Sequence, residues 1–188
     1  PTLTFAHPSC LVKNTKDKSR QGLTKQHSAN AMMKPSIAWA LVGMQFGALA
    51  ALVVFPAGTW WDRGPLSGTI ALILVAVGLV VVVVAGAQLG RSLTPSPIPR
   101  EEGTLVTTGI YSQVRHPIYT ALLVAALGGV VWGGSLAHVI AWFFLFGVLS
   151  AKVAGEESLL REKFEGYAAY STTTGRFFPK PSTRNASD

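Results

Sequence analysis

Charge is scarce in this chain: Asp, Glu, Lys and Arg make up only 13% of its residues, against 49% hydrophobic. An ordinary soluble domain carries roughly 25% charged residues. Cysteine is scarcer still. A lone Cys10 excludes an intrachain disulfide, and His7, His27, His116 and His138 are scattered without the spacing of a zinc site, so no bound metal is expected. Nucleic-acid motifs are missing too. The net charge of +7 comes from basic residues flanking apolar segments, so no nucleic-acid partner is expected.

Long apolar runs take the place of charge. Four stretches are free of all four charged residue types: Ile37 to Phe55, Thr69 to Gly90, Ile118 to Gly134, and Leu136 to Ala151. A helix crossing a hydrocarbon layer of roughly 30 Å needs about 20 such residues. The first two fit, and the latter two form a tight hairpin around "GGS", its second arm running past Lys152 to Gly155 while the lysine snorkels. The valine run "LVVVVVAGAQ" is read as a helix because the apolar segment far exceeds a strand's length. The expected fold is an all-α integral membrane protein: a bundle of four transmembrane helices, over about 37–55, 69–90, 118–134 and 136–155. "GMQFG" and "GAQLG" are small-residue patterns that let helices approach closely in a bilayer.

Basic residues set the orientation. Residues 1–36 hold six, whereas the first connection, "PAGTWWDRGPLS", holds only Arg63. Arg91, Arg100 and Arg115 then mark the next loop, and Lys152, Arg161, Lys163, Arg176, Lys180 and Arg184 mark the C-terminal part. A multi-pass protein with both termini cytosolic is predicted. Residues 1–36 form a basic disordered extension, 37–179 the membrane domain and 180–188 a flexible tail; "AMMKPS", at 31–36, is a candidate natural start. Trp60 and Trp61 fall where an outer aromatic belt belongs.

Two long polar stretches share the cytosolic side: "RSLTPSPIPREEGTLVTTGIYSQVRHP", residues 91–117, and "KVAGEESLLREKFEGYAAYSTTTGRFFP", residues 152–179. A structureless loop of that length in a small protein points to function, here a lid or pocket wall. Pro117 can open a helix, placing Arg115 and His116 at an N-terminus that attracts anions. Glu156 and Glu157 offer a second wall, a seat for a cation or a diol. Either feature has a structural alternative: Arg115 and His116 as interfacial anchors, and Glu157 paired with Arg161 at i,i+4 spacing.

"GTLVTTGIYSQVRHPIYTALL", followed by "EESLLREKFEGYAAY" and "GRFFP", resembles the isoprenylcysteine carboxyl methyltransferase family and, more loosely, the phospholipid N-methyltransferases. The resemblance covers about residues 88–179. It implies a membrane enzyme using S-adenosylmethionine, with cofactor contacts at Thr104, Leu105, Val106, Tyr111, His116, Pro117, Ile118, Tyr119 and Glu156; Glu157 is added as its neighbour. Lys152 stands where the family places a substrate-contacting arginine, and "FEGY" is one residue shorter than the family's stretch. A lysine offers a compact point charge instead of a planar fork, so the acceptor stays open between a carboxylate, a phospholipid amine and another lipophilic molecule. Lys152 or Arg115 is expected to meet an anionic acceptor, and no individual catalytic residue is assigned. The rival readings are a membrane NAD(P)H-dependent reductase of the sterol or enone type and a non-catalytic small membrane protein.

Overall fold

Prolines set where the helices begin. Pro35, Pro65 and Pro117 each open a helix, at a position where the missing N–H would have had no partner anyway. The computed structural model describes residues 34–90 and 104–180, so most of the expected extension and tail lie outside the described residues. Within them run five α-helices: α1 (Pro35–Val54), α2 (Pro65–Leu89), α3 (Pro117–Gly133), α4 (Leu136–Lys163) and α5 (Tyr167–Thr173). A short 3-10 turn, Gly109–Ser112, precedes α3. The valine run is helical, as its length required. Among the described residues the β structure is a single isolated parallel bridge between Val114 and Gly175.

Three helices, α1, α2 and α4, are long and apolar enough to cross a membrane. The fourth expected span, α3, has 17 residues, which at 1.5 Å per residue extend about 25 Å, short of a roughly 30 Å core. α3 thus has its expected length, whereas α4 runs past its expected end at Gly155. It runs through Glu156 and Glu157 to Lys163, because the segment after Gly155 is rich in helix-forming Glu, Leu, Arg and Lys, with Arg161 and Lys163 complementing its C-terminal dipole.

Small residues hold α2 against α3. Ala71, Gly78 and Ala85 recur every seven positions along the buried face of α2, and a Cβ added at Gly78 would lie 2.6 Å from the Ala121 carbonyl oxygen. The contact is reciprocal: a Cβ at Gly128 of α3 would lie 2.7 Å from the Ala71 carbonyl. Three of the glycines picked from sequence stand outside this seam, since a Cβ at Gly43, Gly47 or Gly90 would meet open space. The rest of the core joins α1, α3 and α4 through Ala48, Leu52, Leu123, Ala126, Val130, Ala141, Leu145 and Leu149. Trp142 ties α4 to α3 by donating its indole N–H to the Leu123 carbonyl (2.9 Å).

At the far end from the polar stretches, the chain between α1 and α2 folds over the α3–α4 turn. Gly58 and Trp60 donate their amides to the carbonyls of Gly133 and Gly134, and Trp61 donates its indole N–H to Val131 (2.9 Å). Trp60 remains largely exposed. The outward faces of α2 and α4 carry exposed Leu72, Leu79, Val83, Ile140 and Phe143, an arrangement suited to lipid rather than water.

Candidate functional site

The loop before α3 is fixed to the end of α2. Gly109 has φ +60°, and a Cβ there would fall 2.4 Å from the Gln88 side chain, so glycine meets both a backbone and a space requirement. Gln88 Oε1 in turn accepts the Ile110 amide (3.0 Å). Buried Tyr111 donates its hydroxyl to the Ala85 carbonyl (3.3 Å) and accepts, at its own carbonyl, the hydroxyl of Tyr170 from α5 (2.5 Å).

From there the chain runs alongside the segment that follows α5. The amides of Arg115 and His116 donate to the carbonyls of Gly175 (2.8 Å) and Arg176 (3.2 Å), and the Thr120 hydroxyl donates to Phe177 (3.0 Å). His116 is the residue on which α3 starts and Pro117 its first helical position, as the sequence indicated.

Both polar stretches converge on Glu157. Arg115 donates Nε (3.0 Å) and Nη2 (2.8 Å) to its Oε1, and Nη1 to the carbonyls of Ser171 (2.8 Å) and Thr174. Arg176 contributes Nη2 to Oε2 at 2.6 Å and Nε to Oε1 at 3.2 Å. His116 Nε2 lies 3.3 Å from Oε1. The helical neighbour anticipated from spacing, Arg161, is 3.9 Å away and mostly exposed.

The two glutamates therefore differ. Consecutive helix positions diverge by about 100°, so Glu157 turns into the cationic hub, with 3% of its side chain exposed, while Glu156 keeps 26%. Glu156 Oε2 accepts the Tyr119 hydroxyl (3.1 Å) and lies 3.7 Å from His116 Nδ1. The His116 and Tyr119 rings stack at 5.7 Å with 8° between planes. Beyond Tyr119, the Lys152 ammonium sits over its ring at 5.3 Å and donates to Gln45 Oε1 of α1 at 2.6 Å. The positions expected to contact a cofactor thus fall into two groups. Tyr111, His116, Pro117, Tyr119, Glu156 and Glu157 are gathered here, whereas Thr104 is exposed and Leu105, Val106 and Ile118 are half-buried. Arg115 is committed to Glu157 and the chain after α5, and Lys152 is buried against Gln45 and Tyr119.

Four residues of this neighbourhood escaped sequence reasoning: Gln45, Tyr167, Tyr170 and Arg176. A glutamine midway along an apolar span is a readable signal for the first. The tyrosines recur in "GYAAY" at helical spacing, and Arg176 lies in the "GRFFP" already singled out.

The electrostatics follow from burial. The Tyr111 phenol is pushed up to about 12 by burial, then by the charge of Glu156 and by Tyr170. Burial also pushes Tyr170 up to about 12, against the opposing charge of Arg115. Tyr167 is raised further, by burial first and by the Glu157 carboxylate next. Its hydroxyl is buried and finds no hydrogen-bond partner among the described residues. Among those residues, no group of three or more His, Cys, Asp or Glu side chains is placed to hold a metal ion.

Parts of the chain are similar to known proteins. Over 82 residues the chain is 35% identical to the cobalt-zinc-cadmium resistance protein CzcN of Cupriavidus metallidurans, covering 43% of this chain and 38% of that one. Over 123 residues it is 34% identical to the nickel-cobalt-cadmium resistance protein NccN of Alcaligenes xylosoxydans xylosoxydans, covering 64% of this chain and 54% of that one. The matches thus span about half or less of those relatives. Residues 66–166, from the start of α2 through the paired glutamates, match the phospholipid methyltransferase family. With over half of its length matched there, this chain belongs to the phospholipid methyltransferase family, one of the membrane methyltransferases whose likeness its two polar stretches carry.

Proposed function

We propose that the protein is an integral membrane methyltransferase that uses S-adenosylmethionine and acts on a lipophilic acceptor. The observation that carries this reading is the unequal state of the two glutamates. Glu157 is spent on fixing the walls, while Glu156 remains partly open beside the stacked His116 and Tyr119. A partly open carboxylate fits the cofactor's ammonium or ribose hydroxyls, and the tyrosines and histidine fit its flat and polar surfaces. When bound, S-adenosylmethionine supplies a methyl group activated by its sulfonium.

The protein's own part is positioning. Such a displacement requires the acceptor nucleophile in line with the methyl carbon and water kept out, and effective molarity then does most of the work. Arg115, Arg176 and Glu157 hold the loop before α3 against the chain after α5, so the walls stay in register. Glu156 and Tyr119 orient the cofactor. Lys152, on the α1 side of Tyr119, lies where an acceptor sliding between α1 and α4 presents its head. In this reading α3 crosses with the other three helices, its short length made up by flanking polar residues, and both termini face the cytosol.

The test is calorimetric titration of purified protein in lipid nanodiscs. Wild type binds S-adenosylmethionine, and Glu156→Gln, which keeps shape and removes charge, weakens binding at least tenfold without lowering Tm. Binding of a reduced nicotinamide dinucleotide in place of S-adenosylmethionine overturns the proposal in favour of a reductase. Transfer of labelled methyl groups to extracted lipids then identifies the acceptor.

A further inference from the structure

Three of the four tyrosine hydroxyls at this end of the molecule have a partner in the fold: Tyr111 donates to Ala85, Tyr119 to Glu156 and Tyr170 to Tyr111. The fourth does not. Tyr167 is 1% exposed, and its hydroxyl has no hydrogen-bond partner among the described residues. Buried polar groups are nearly always satisfied, and an exception asks for a partner that the chain alone does not provide.

Where Tyr167 sits identifies that partner. It lies one helical turn before Ser171, whose carbonyl accepts from Arg115, so it faces the Arg115–Glu157 hub from α5. Its ring packs edge-on against Tyr170 at 5.9 Å, and Tyr170 in turn grips the loop that carries Tyr111. Tyr167 thereby stands at the meeting of α5, the loop before α3 and the end of α4 that carries Glu157 and its neighbour Glu156.

We propose that the Tyr167 hydroxyl is a further cofactor-binding group, which together with Glu156 receives the ammonium of an amino-acid end such as that of S-adenosylmethionine. This rests on the methyltransferase reading and narrows it. A phenol oxygen accepts from an ammonium while a carboxylate neutralises it. An adenine ring would need an open apolar face.

The test compares two ligands on the full chain in nanodiscs: S-adenosylhomocysteine, which has the amino-acid end, and methylthioadenosine, which lacks it. Tyr167→Phe is expected to weaken S-adenosylhomocysteine about tenfold, the loss of one hydrogen bond to a charged group. It is expected to leave methylthioadenosine unchanged and to leave the ligand-free Tm equal or higher, since an unsatisfied hydroxyl has been removed. Tyr170→Phe, the structural control, lowers Tm and leaves the ratio of the two affinities unchanged. Equal affinity of wild type and Tyr167→Phe for S-adenosylhomocysteine overturns the assignment and leaves a buried water as the partner. Equal weakening for both ligands, or a fall in ligand-free Tm, also overturns it. Failure of wild type to bind either ligand overturns the methyltransferase reading, and the assignment falls with it.

Discussion

Removing the Glu157 carboxylate tests the hub directly. In Glu157→Ala the Arg115 guanidinium, with 7% of its side chain exposed, loses a carboxylate that is itself 3% exposed. Breaking one side of such a buried pair costs about 3–5 kcal/mol, because the remaining charge stays desolvated. Arg176 adds little to the loss: its side chain is 45% exposed, water replaces its partner, and exposed pairs are worth roughly 0–1 kcal/mol. At about 2–4 °C per kcal/mol for a chain of this size, the expected fall in Tm is roughly 6–20 °C. Thermal unfolding in detergent, followed by circular dichroism, reads it. Arg176→Ala should lose no more than about 1 kcal/mol in the same assay. Replacing both buried partners, Arg115→Leu with Glu157→Leu, should recover part of the loss, since no lone buried charge remains. The recovery stays partial because the Ser171 and Thr174 carbonyls lose their donor. A Glu157→Ala loss below about 1 kcal/mol, or a double variant that loses the full sum of the singles, would refute the hub as the element that fixes these walls.

Two further expectations concern the helix seam and the phenols. Gly78→Val forces a side chain onto the Ala121 carbonyl and should cost at least the upper end of the roughly 1–3 kcal/mol typical of overpacking. Gly43→Ala meets open space and should leave unfolding in detergent unchanged or gain up to about 1 kcal/mol from helix propensity. Tyr111 and Tyr170, raised to about 12, stay protonated in the folded protein while an unfolded chain ionises near 10. The unfolded state therefore binds fewer protons above pH 10, so the stability present below that pH is lost progressively between 10 and about 12. Absorbance at 295 nm should show these two phenols titrating late in the native protein and near pH 10 in denaturant; early titration in both would contradict their burial.

Much of the site could be read before the fold was known, and for physical reasons. Pro117 after Arg115 and His116 marks a helix start with polar side chains at its mouth, and Glu156 with Glu157 stands out in a chain with few acids. What sequence could not separate was their roles, because adjacent letters on a helix point to different neighbours, and Glu157 finds Arg115 42 positions away. Arg176 was invisible for the same reason: its partner is 19 positions back. The packing of α2 was hidden differently. Its seam uses Ala71, Gly78 and Ala85 at seven-residue spacing inside a valine run, while the more conspicuous Gly43, Gly47 and Gly90 face open space. The length of α3 was legible, since Gly134, in the left-handed conformation, ends the helix where the apolar run was read to end.

The pairing of residues 114–116 with 175–176 has a consequence in time. Arg115 emerges from the ribosome long before Ser171, Thr174 and Arg176, the groups that complete its surroundings. In the reading proposed above, α1 to α4 can enter the bilayer while the wall of the site is still half built. On that reading insertion and competence are separate events, and the later one waits on the short segment that follows α5.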